Sequence, residues 1–386
     1  MNNNLLKQLI SSVKDGITAV AGLDAAFMEL CSTADMTAKE LEDFYYASND
    51  IAKQMGVTTE EILKQAAAWN KLGYHTARQA AKMAGYSSML TALSPGLDTS
   101  TAIEGLDSAM KAFKISAEDA AGVIDGIISK INIVSSTRSV DNVDIVNILT
   151  RSASAMAATN NTLEDTIALG AALTEVTGNA YDAAQILNTV SMRIRGYNEE
   201  TGRYTGNVKE LSAVIAGLTQ TASASGGISL FSNSAMTEYK STRQLLGEIA
   251  EIYDDLSGKQ QTALLAALTG GEHNRAMAAL FDSYEAVTAS LDAMAVSAGN
   301  AEVSMAAVMD SIAYKMNRLK ETGTGISQNL FGGDEMKTVL DTINSLGAGL
   351  DWLTEKLGLL GTASTVGAGF LSTKGLGLTN YVVTMS

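Results

Sequence analysis

The chain has 386 residues, one proline and a formal net charge of −15, from 42 acidic and 27 basic side chains. Its apolar fraction of 46% excludes an intrinsically disordered chain, and the acidic balance argues against sequence-specific nucleic-acid binding, which normally needs a basic face. A single cysteine excludes an internal disulfide. One cysteine and two histidines in the whole chain are too few to be the usual ligands of a structural zinc site.

Capping motifs mark helix starts at short intervals in the first half of the chain. Thr37 and Thr58 are each followed three residues later by glutamate, the pairing that satisfies the free amides of a first helical turn. Glycines follow at plausible distances as stop signals, at Gly56, Gly73, Gly85, Gly178 and Gly196. The pattern predicts helices at about 38–55, 59–72, 77–84, 99–113, 117–131, 140–159, 163–177 and 180–195.

The apolar spacing predicts that one face of each helix is buried. Ile145, Leu149 and Met156 follow the three-and-four spacing of a helix, and the small residues at 168–172 allow a second helix to approach closely. The loops are short, so neighbouring helices are expected to fold back on each other. The predicted fold class is all-α, a multi-helix array of short to medium antiparallel helices.

The second half of the chain begins with a polar segment at 197–207, which is interpreted as a loop, and a helix at about 208–218. The alternation in 228–231 predicts a small β-hairpin near residues 228–239, the one place where strand is expected. Helices resume at about 242–256, 258–268 and 275–283. A longer helical tract at 284–322 is interrupted near 298–300, and a further helix is expected at 334–357.

These elements divide the chain into four predicted parts. An N-terminal helical module covers 1–196, a connecting region with the hairpin covers 197–241, and a C-terminal helical module covers 242–357. The tail at 358–386 is rich in Gly, Ser and Thr and has no clear stop, so we expect the chain to be a fragment of a longer protein. The uncharged run at 357–373 falls short of the ~20 strongly apolar residues of a spanning helix, so 357–378 is a candidate for host membrane contact only.

Groups that carry catalysis are few and scattered. His75 and His273 lie far apart in the sequence, and Cys31 sits in an apolar run, which predicts a buried inert thiol. A nucleophilic pair of Cys31 with His75 has no local support. Adjacent carboxylates are typical of solvated surface or of first helical turns, at Glu60-Glu61, Glu199-Glu200 and Asp254-Asp255. We therefore predict no catalytic, cofactor-binding or metal site, and a protein that is not an enzyme.

Several segments together carry a family resemblance. The segment 23–30 precedes a helix that ends in Lys53-Gln54-Met55-Gly56-Val57-Thr58, and Ala112-Phe113-Lys114-Ile115-Ser116 forms a later junction. Between 153 and 196, a helix of small residues leads through Thr162-Leu163-Glu164-Asp165 to Met192-Arg193-Ile194-Arg195-Gly196. In order and spacing over about 23–357, the chain resembles the core region of phage tail tape measure proteins.

This resemblance implies a structural protein of the virion tail that is assembled in the host cytoplasm. It would lie in the lumen of the tail tube, take part in tail length determination and leave with the DNA at infection. The implied partners are the tail tube protein, tail assembly chaperones and baseplate or tail tip proteins, with a homo-oligomer in the lumen. Arg193 and Arg195 are interpreted as complements to a helix C-terminus, with a phosphate or tube-wall contact as the alternative.

The chain departs from the family in one respect. Tape measure proteins are usually much longer and contain extended coiled-coil tracts. A continuous helix advances about 1.5 Å per residue, so a ruler needs long uninterrupted helix. The glycine-punctuated pattern predicts a compact helical module instead of the ruler tract. The alternative function is a generic helical interaction or scaffold protein of a bacterium or prophage without a ruler role, which sustained heptads would favour. A lytic enzyme would instead need an acidic residue buried in a cleft.

Overall fold

A computed structural model describes residues 22–311, apart from 35, 117–119, 199–202, 205–206 and 224–225, together with residues 317 and 321. These residues are mostly helical, so the all-α prediction is confirmed. The helices are α1 (22–33), α2 (Ala38–Met55), α3 (Thr59–Lys71), α4 (Ala77–Ala92), α5 (Thr99–Ala112), α6 (Ala120–Thr137), α7 (Asn142–Ala158), α8 (Leu163–Thr177), α9 (Ala180–Arg193), α10 (Val208–Thr219), α11 (Thr242–Ala250), α12 (Gly258–Thr269), α13 (Asn274–Asp282), α14 (Glu285–Ala295) and α15 (Asn300–Met309). A short 3-10 turn at Tyr253–Asp255 follows α11.

Local capping chemistry sets most of the helix boundaries. Thr37 and Thr58 each accept a hydrogen bond from the third amide of the following helix, and the glutamate at that third position accepts one from the backbone N–H of the capping threonine. A capping box of Ser257 with Gln260 starts α12 in the same way. Gly56 and Gly178 end α2 and α8 with φ of 71° and 70°, which a side chain at Cβ disfavours. These predicted starts and stops are confirmed.

The core is built around α7, which packs against α5, α8 and α9. The face predicted from the apolar spacing is buried, at Ile145, Ile148, Leu149, Ser152 and Met156. Gly105 of α5 and Gly170 of α8 allow the close approach. A Cβ at Gly105 would lie 2.5 Å from Val146 Cγ1, and one at Gly170 would lie 2.5 Å from Ile148 Cγ2. The distances of α5 and α8 from α7 therefore depend on glycine, which has no Cβ, at these two positions.

The small β-hairpin predicted near residues 228–239 is wrong, because this segment makes one isolated bridge between Phe231 and Tyr239 and no strands. The backbone amides of Ile228 and Leu230 donate instead to hydroxyls of α10, Thr219 Oγ1 at 2.8 Å and Ser212 Oγ at 3.0 Å. Donors used by a helix are not available to a ladder. A two-residue antiparallel pair forms elsewhere, between Tyr197–Asn198 and Arg203–Tyr204, in a segment interpreted as a loop.

The last described helices pack on helices from the middle of the chain. α14 packs on α6 and α8, and α15 packs on α6. Near the α2–α3 turn, Asn49 Nδ2 donates to the Glu321 carbonyl at 2.9 Å, and Thr59 N donates to Glu321 Oε2 at 3.0 Å. Contacts join Gly22–Gly323 into one unit, while the four-part division at 1–196, 197–241, 242–357 and 358–386 stays a prediction.

Two further predictions concern residues that the structure does not describe. The helix expected at 334–357 and the membrane-contact candidate at 357–378 both lie outside the described residues. Among those that are described, no helix combines the length and the apolar character that crossing a bilayer requires.

Candidate functional site

The reactive residues singled out in the sequence lie in separate places. Cys31 is half-buried in α1, and burial raises the pKa of its thiol, with the charge of Asp24 adding to the effect. A raised pKa leaves the thiol protonated at neutral pH, the opposite of what an activated nucleophile needs. His75 lies exposed in the turn between α3 and α4.

The adjacent carboxylates at Glu60 and Glu61 serve local structure. Glu61 completes the capping box of α3, and Glu60 pairs with Lys64 at 2.6 Å. Asp254 and Asp255 are exposed, and Glu199-Glu200 lie outside the described residues. Within the part of the chain that the structure describes, no group of three His, Cys, Asp or Glu side chains is placed to hold a metal ion. That the chain lacks a catalytic, cofactor or metal site stays a prediction.

Four buried polar side chains meet where α11 begins against the turn between α7 and α8. We call Thr159, Asn161, Ser191 and Thr242 the polar hub; each exposes 6% or less of its surface. Asn161 Nδ2 donates to Thr159 Oγ1 at 2.9 Å and to Thr242 Oγ1 at 3.2 Å. Ser191 Oγ lies 3.0 Å from Thr242 Oγ1. Buried groups of this kind stabilise a fold only when they satisfy each other.

Local sequence places these side chains. The chain reverses after α7 at Asn160, whose φ of 63° is tolerated by asparagine, and this turns Asn161 inward. Ser241 caps α11 through a box with Gln244, which sets Thr242 at the first helical position. Asn161 Oδ1 then accepts from the backbone N–H of Arg243 at 2.9 Å. The turn between α7 and α8 therefore caps α11 from outside that helix.

A second layer of polar contacts surrounds the polar hub. Arg243 Nε lies 2.6 Å from Asp165 Oδ1 of α8, although its N–H is not aligned on that oxygen, so the contact is mainly one of opposite charges. Tyr284 of the segment before α14 donates from its hydroxyl to the Arg243 carbonyl at 3.0 Å. Burial raises the pKa of Tyr284, which keeps this donor protonated.

Arg193 and Arg195 also connect the end of α9 to the later segments. Arg193 Nε donates to the Ala267 carbonyl of α12 at 2.8 Å. Arg195 Nη2 donates to the Lys240 carbonyl at 3.0 Å, and its guanidinium lies 4.3 Å from the ring centre of Tyr239. The two cations lie at the C-terminal end of α9, as expected, and they also hold α11 and α12 in place.

An open groove lies on another face, between α7 and the turn before α9. It measures about 340 Å³ and is lined by Asp144, Asn147, Arg151 and Tyr181, among others. The guanidinium of Arg151 stacks 4.6 Å above the Tyr181 ring. This surface offers polar and aromatic contacts to a partner, and the sequence reasoning did not single it out.

The polar hub can do little chemistry, because its hydroxyls and its amide bind one another and the backbone. The polar hub joins α11 to α9 and to the turn between α7 and α8, within a unit that is mostly helical. A protein-family model described as phage-related minor tail protein matches residues 46–270, from within α2 to the end of α12 and including the whole polar hub.

The chain belongs to the phage-related minor tail protein family. It is therefore a structural protein of the phage tail, located in the virion tail and associated with other tail components. No curated protein matches the chain, and no solved structure does.

Proposed function

We propose that the chain is part of a tail tape measure protein that lies in the lumen of the tail tube and takes part in tail length determination, tail assembly and genome delivery. The observation that carries this proposal is the family match over 46–270, which covers most of the segment order that resembles the tape measure core. The helical fold and the joint-like polar hub agree with a structural role.

Helix length limits what this region contributes. The longest helices among the described residues, α2 and α6, cover 18 described residues each, or about 27 Å of helix. α2 packs on α3 and α4, and α6 packs on α7, α8 and α14, so the lengths of these helices do not add along the tube. The chain thus supplies a folded module of the tape measure protein, and longer helical tracts of the same protein set the length.

The module acts by binding and not by catalysis. The raised pKa of the Cys31 thiol, the exposed position of His75 and the mutual engagement of the polar hub support this view. The partners that fit are the tail tube protein, tail assembly chaperones and baseplate or tail tip proteins, with further copies of the chain in the lumen.

Protease protection tests the lumen location. In purified virions, the chain is expected to resist an added protease while the tail is filled, and to be cleaved once ejection has been triggered. An exposed tail fibre or baseplate protein, cleaved in both states, is the control. Cleavage in intact virions, or absence of the chain from virions, would contradict the proposal.

A further inference from the structure

A buried carboxylate from the far end of the described chain completes the first turn of α3. Glu321 exposes 3% of its surface, and its Oε2 accepts from the Thr59 N–H at 3.0 Å and from Thr59 Oγ1 at 2.7 Å. The Thr59 amide is one of the four that a helix start leaves without a partner inside the helix. The partial positive charge of a helix N-terminus also favours a carboxylate there. Glu321 therefore caps α3 from 262 positions away in the sequence.

Two amide side chains extend this contact to α2. Asn49 exposes 4% of its surface, and its Nδ2 donates to Thr59 Oγ1 at 3.0 Å and to the Glu321 carbonyl at 2.9 Å. Asn317 Nδ2 donates to the carbonyl of Gly56, the residue that ends α2, at 3.1 Å. Residues 317 and 321 are both helical and lie four positions apart, so they share one face, which is turned to the α2–α3 turn. We call Asn49, Thr59 and Glu321 the clasp.

Apolar packing beside the clasp is loose. An open groove of about 260 Å³ lies next to the contact of Asn317 with Gly56, and its lining includes Met55, Val57 and Val308. Atoms that face a gap have no partner on that side and lose the dispersion attraction of close packing. Helix α15, which precedes the clasp in the chain, buries only Ala301 and Met305. The polar contacts of the clasp therefore carry much of what holds residue 321 to the α2–α3 turn.

The clasp lies apart from the main core. Apolar side chains of α1, α2 and the adjoining faces of α3 and α4 form a cluster that is separate from the larger cluster around α7, α8 and α9. The clasp joins α2 and α3 to residue 321 through an amide, a hydroxyl, a carboxylate and backbone groups. On release these groups regain hydrogen bonds with water, so the net strength of the contact is modest. Opening the clasp therefore leaves the packing of α7 undisturbed.

We propose that the clasp is a releasable fastening, which holds the chain at residue 321 against the α2–α3 turn and opens while the core around α7 stays folded. Glu321 is the positioning residue of this device, because its carboxylate accepts from both donors of Thr59. Opening frees the chain that follows residue 321 from the N-terminal helices. The clasp thus sets where the rest of the chain leaves the helical module.

Limited proteolysis of the full chain tests the proposal. Trypsin cleaves after Lys315, Arg318 and Lys320, which lie beside the two contact residues in the sequence. Cleavage there requires the clasp to open, and its rate follows the population of the open form. The Glu321→Ala variant is therefore expected to be cleaved at these sites about ten- to hundred-fold faster than the wild type in native buffer. Hydrogen exchange of the α7 and α8 amides should be the same in both proteins, because the opening is local.

Three further variants make the result specific. Thr59→Val keeps the branched shape and removes the hydroxyl that donates to Glu321, so it should also speed cleavage, which covers the case in which Glu321→Ala fails to fold. Glu321→Gln keeps an acceptor for the Thr59 amide and should fall between the wild type and Glu321→Ala. Glu104→Ala removes an exposed carboxylate of α5 and should behave like the wild type. Unchanged cleavage in both Glu321→Ala and Thr59→Val would overturn the proposal, as would faster cleavage that comes with lost protection of α7 and α8 in both.

Discussion

The free energy of unfolding of the Asn161→Asp variant is expected to be about 3–5 kcal/mol lower than that of the wild type at pH 7, because the new carboxylate is a buried charge without a partner. Asn161 Nδ2 donates to the Met156 carbonyl at 3.0 Å and to Thr159 Oγ1 at 2.9 Å, within a site that exposes 6% of the residue. A carboxylate has no N–H to donate, so it would place negative charge against a carbonyl oxygen. Urea denaturation followed by circular dichroism measures the change.

A milder variant and a surface control separate the hub from general effects of substitution. Asn161→Ala leaves the Arg243 amide without its 2.9 Å acceptor and is expected to cost about 1–3 kcal/mol. Asn147→Ala, on the partly exposed face of α7, should change the free energy of unfolding by less than about 0.5 kcal/mol. Equal stabilities of the Asn161 variants and the Asn147 variant would show that the polar hub does not hold α11 to α7.

The Gly170→Ala variant is expected to lose about 1–3 kcal/mol of unfolding free energy through overpacking. The new Cβ would lie 2.5 Å from Ile148 Cγ2 and 2.9 Å from Ile148 Cδ1, and Ile148 is fully buried against α8. Helices α7 and α8 must then separate, or Ile148 must leave its rotamer. The midpoint of thermal unfolding gives the sign and the size of the effect.

Two glycines in the same fold provide matched controls, because alanine is the better helix former wherever space allows. A Cβ at Gly126 of α6 or at Gly217 of α10 would meet no atom within 4 Å. Gly126→Ala and Gly217→Ala are therefore each expected to raise the free energy of unfolding by about 0.5–1 kcal/mol. If Gly170→Ala were stabilised like these controls, close approach at Gly170 would not explain the packing of α7 on α8.

Local signals could be predicted well from the sequence, and contacts between distant segments could not. The capping box at Thr37 depends on residues three positions apart, so the start of α2 was predictable. Gly85 was expected to end a helix, yet α4 continues through it to Ala92. Gly85 is not among the glycines with positive φ, so it does not cap a helix, and a Cβ there would meet Ile51 Cγ2 of α2 at an ordinary contact distance of 3.9 Å.

The contacts of the polar hub could not be predicted from the sequence either. Thr159, Asn160, Asn161 and Thr162 form a visible polar run, but their partner Thr242 lies about 80 positions later and is brought to them by tertiary packing. The hairpin predicted near 228–239 fails for a related reason, because hydroxyls of α10 accept hydrogen bonds from backbone amides that a strand would use for pairing.

The central functional claim is that tails need the protein containing this chain in order to reach one defined length. Electron microscopy of tails from phage in which its gene is interrupted, with and without a complementing copy, measures this directly. The proposal predicts tails that are absent or broadly distributed in length without the gene, and a single length once it is restored. Uniform tails of wild-type length in its absence would contradict the tape measure role.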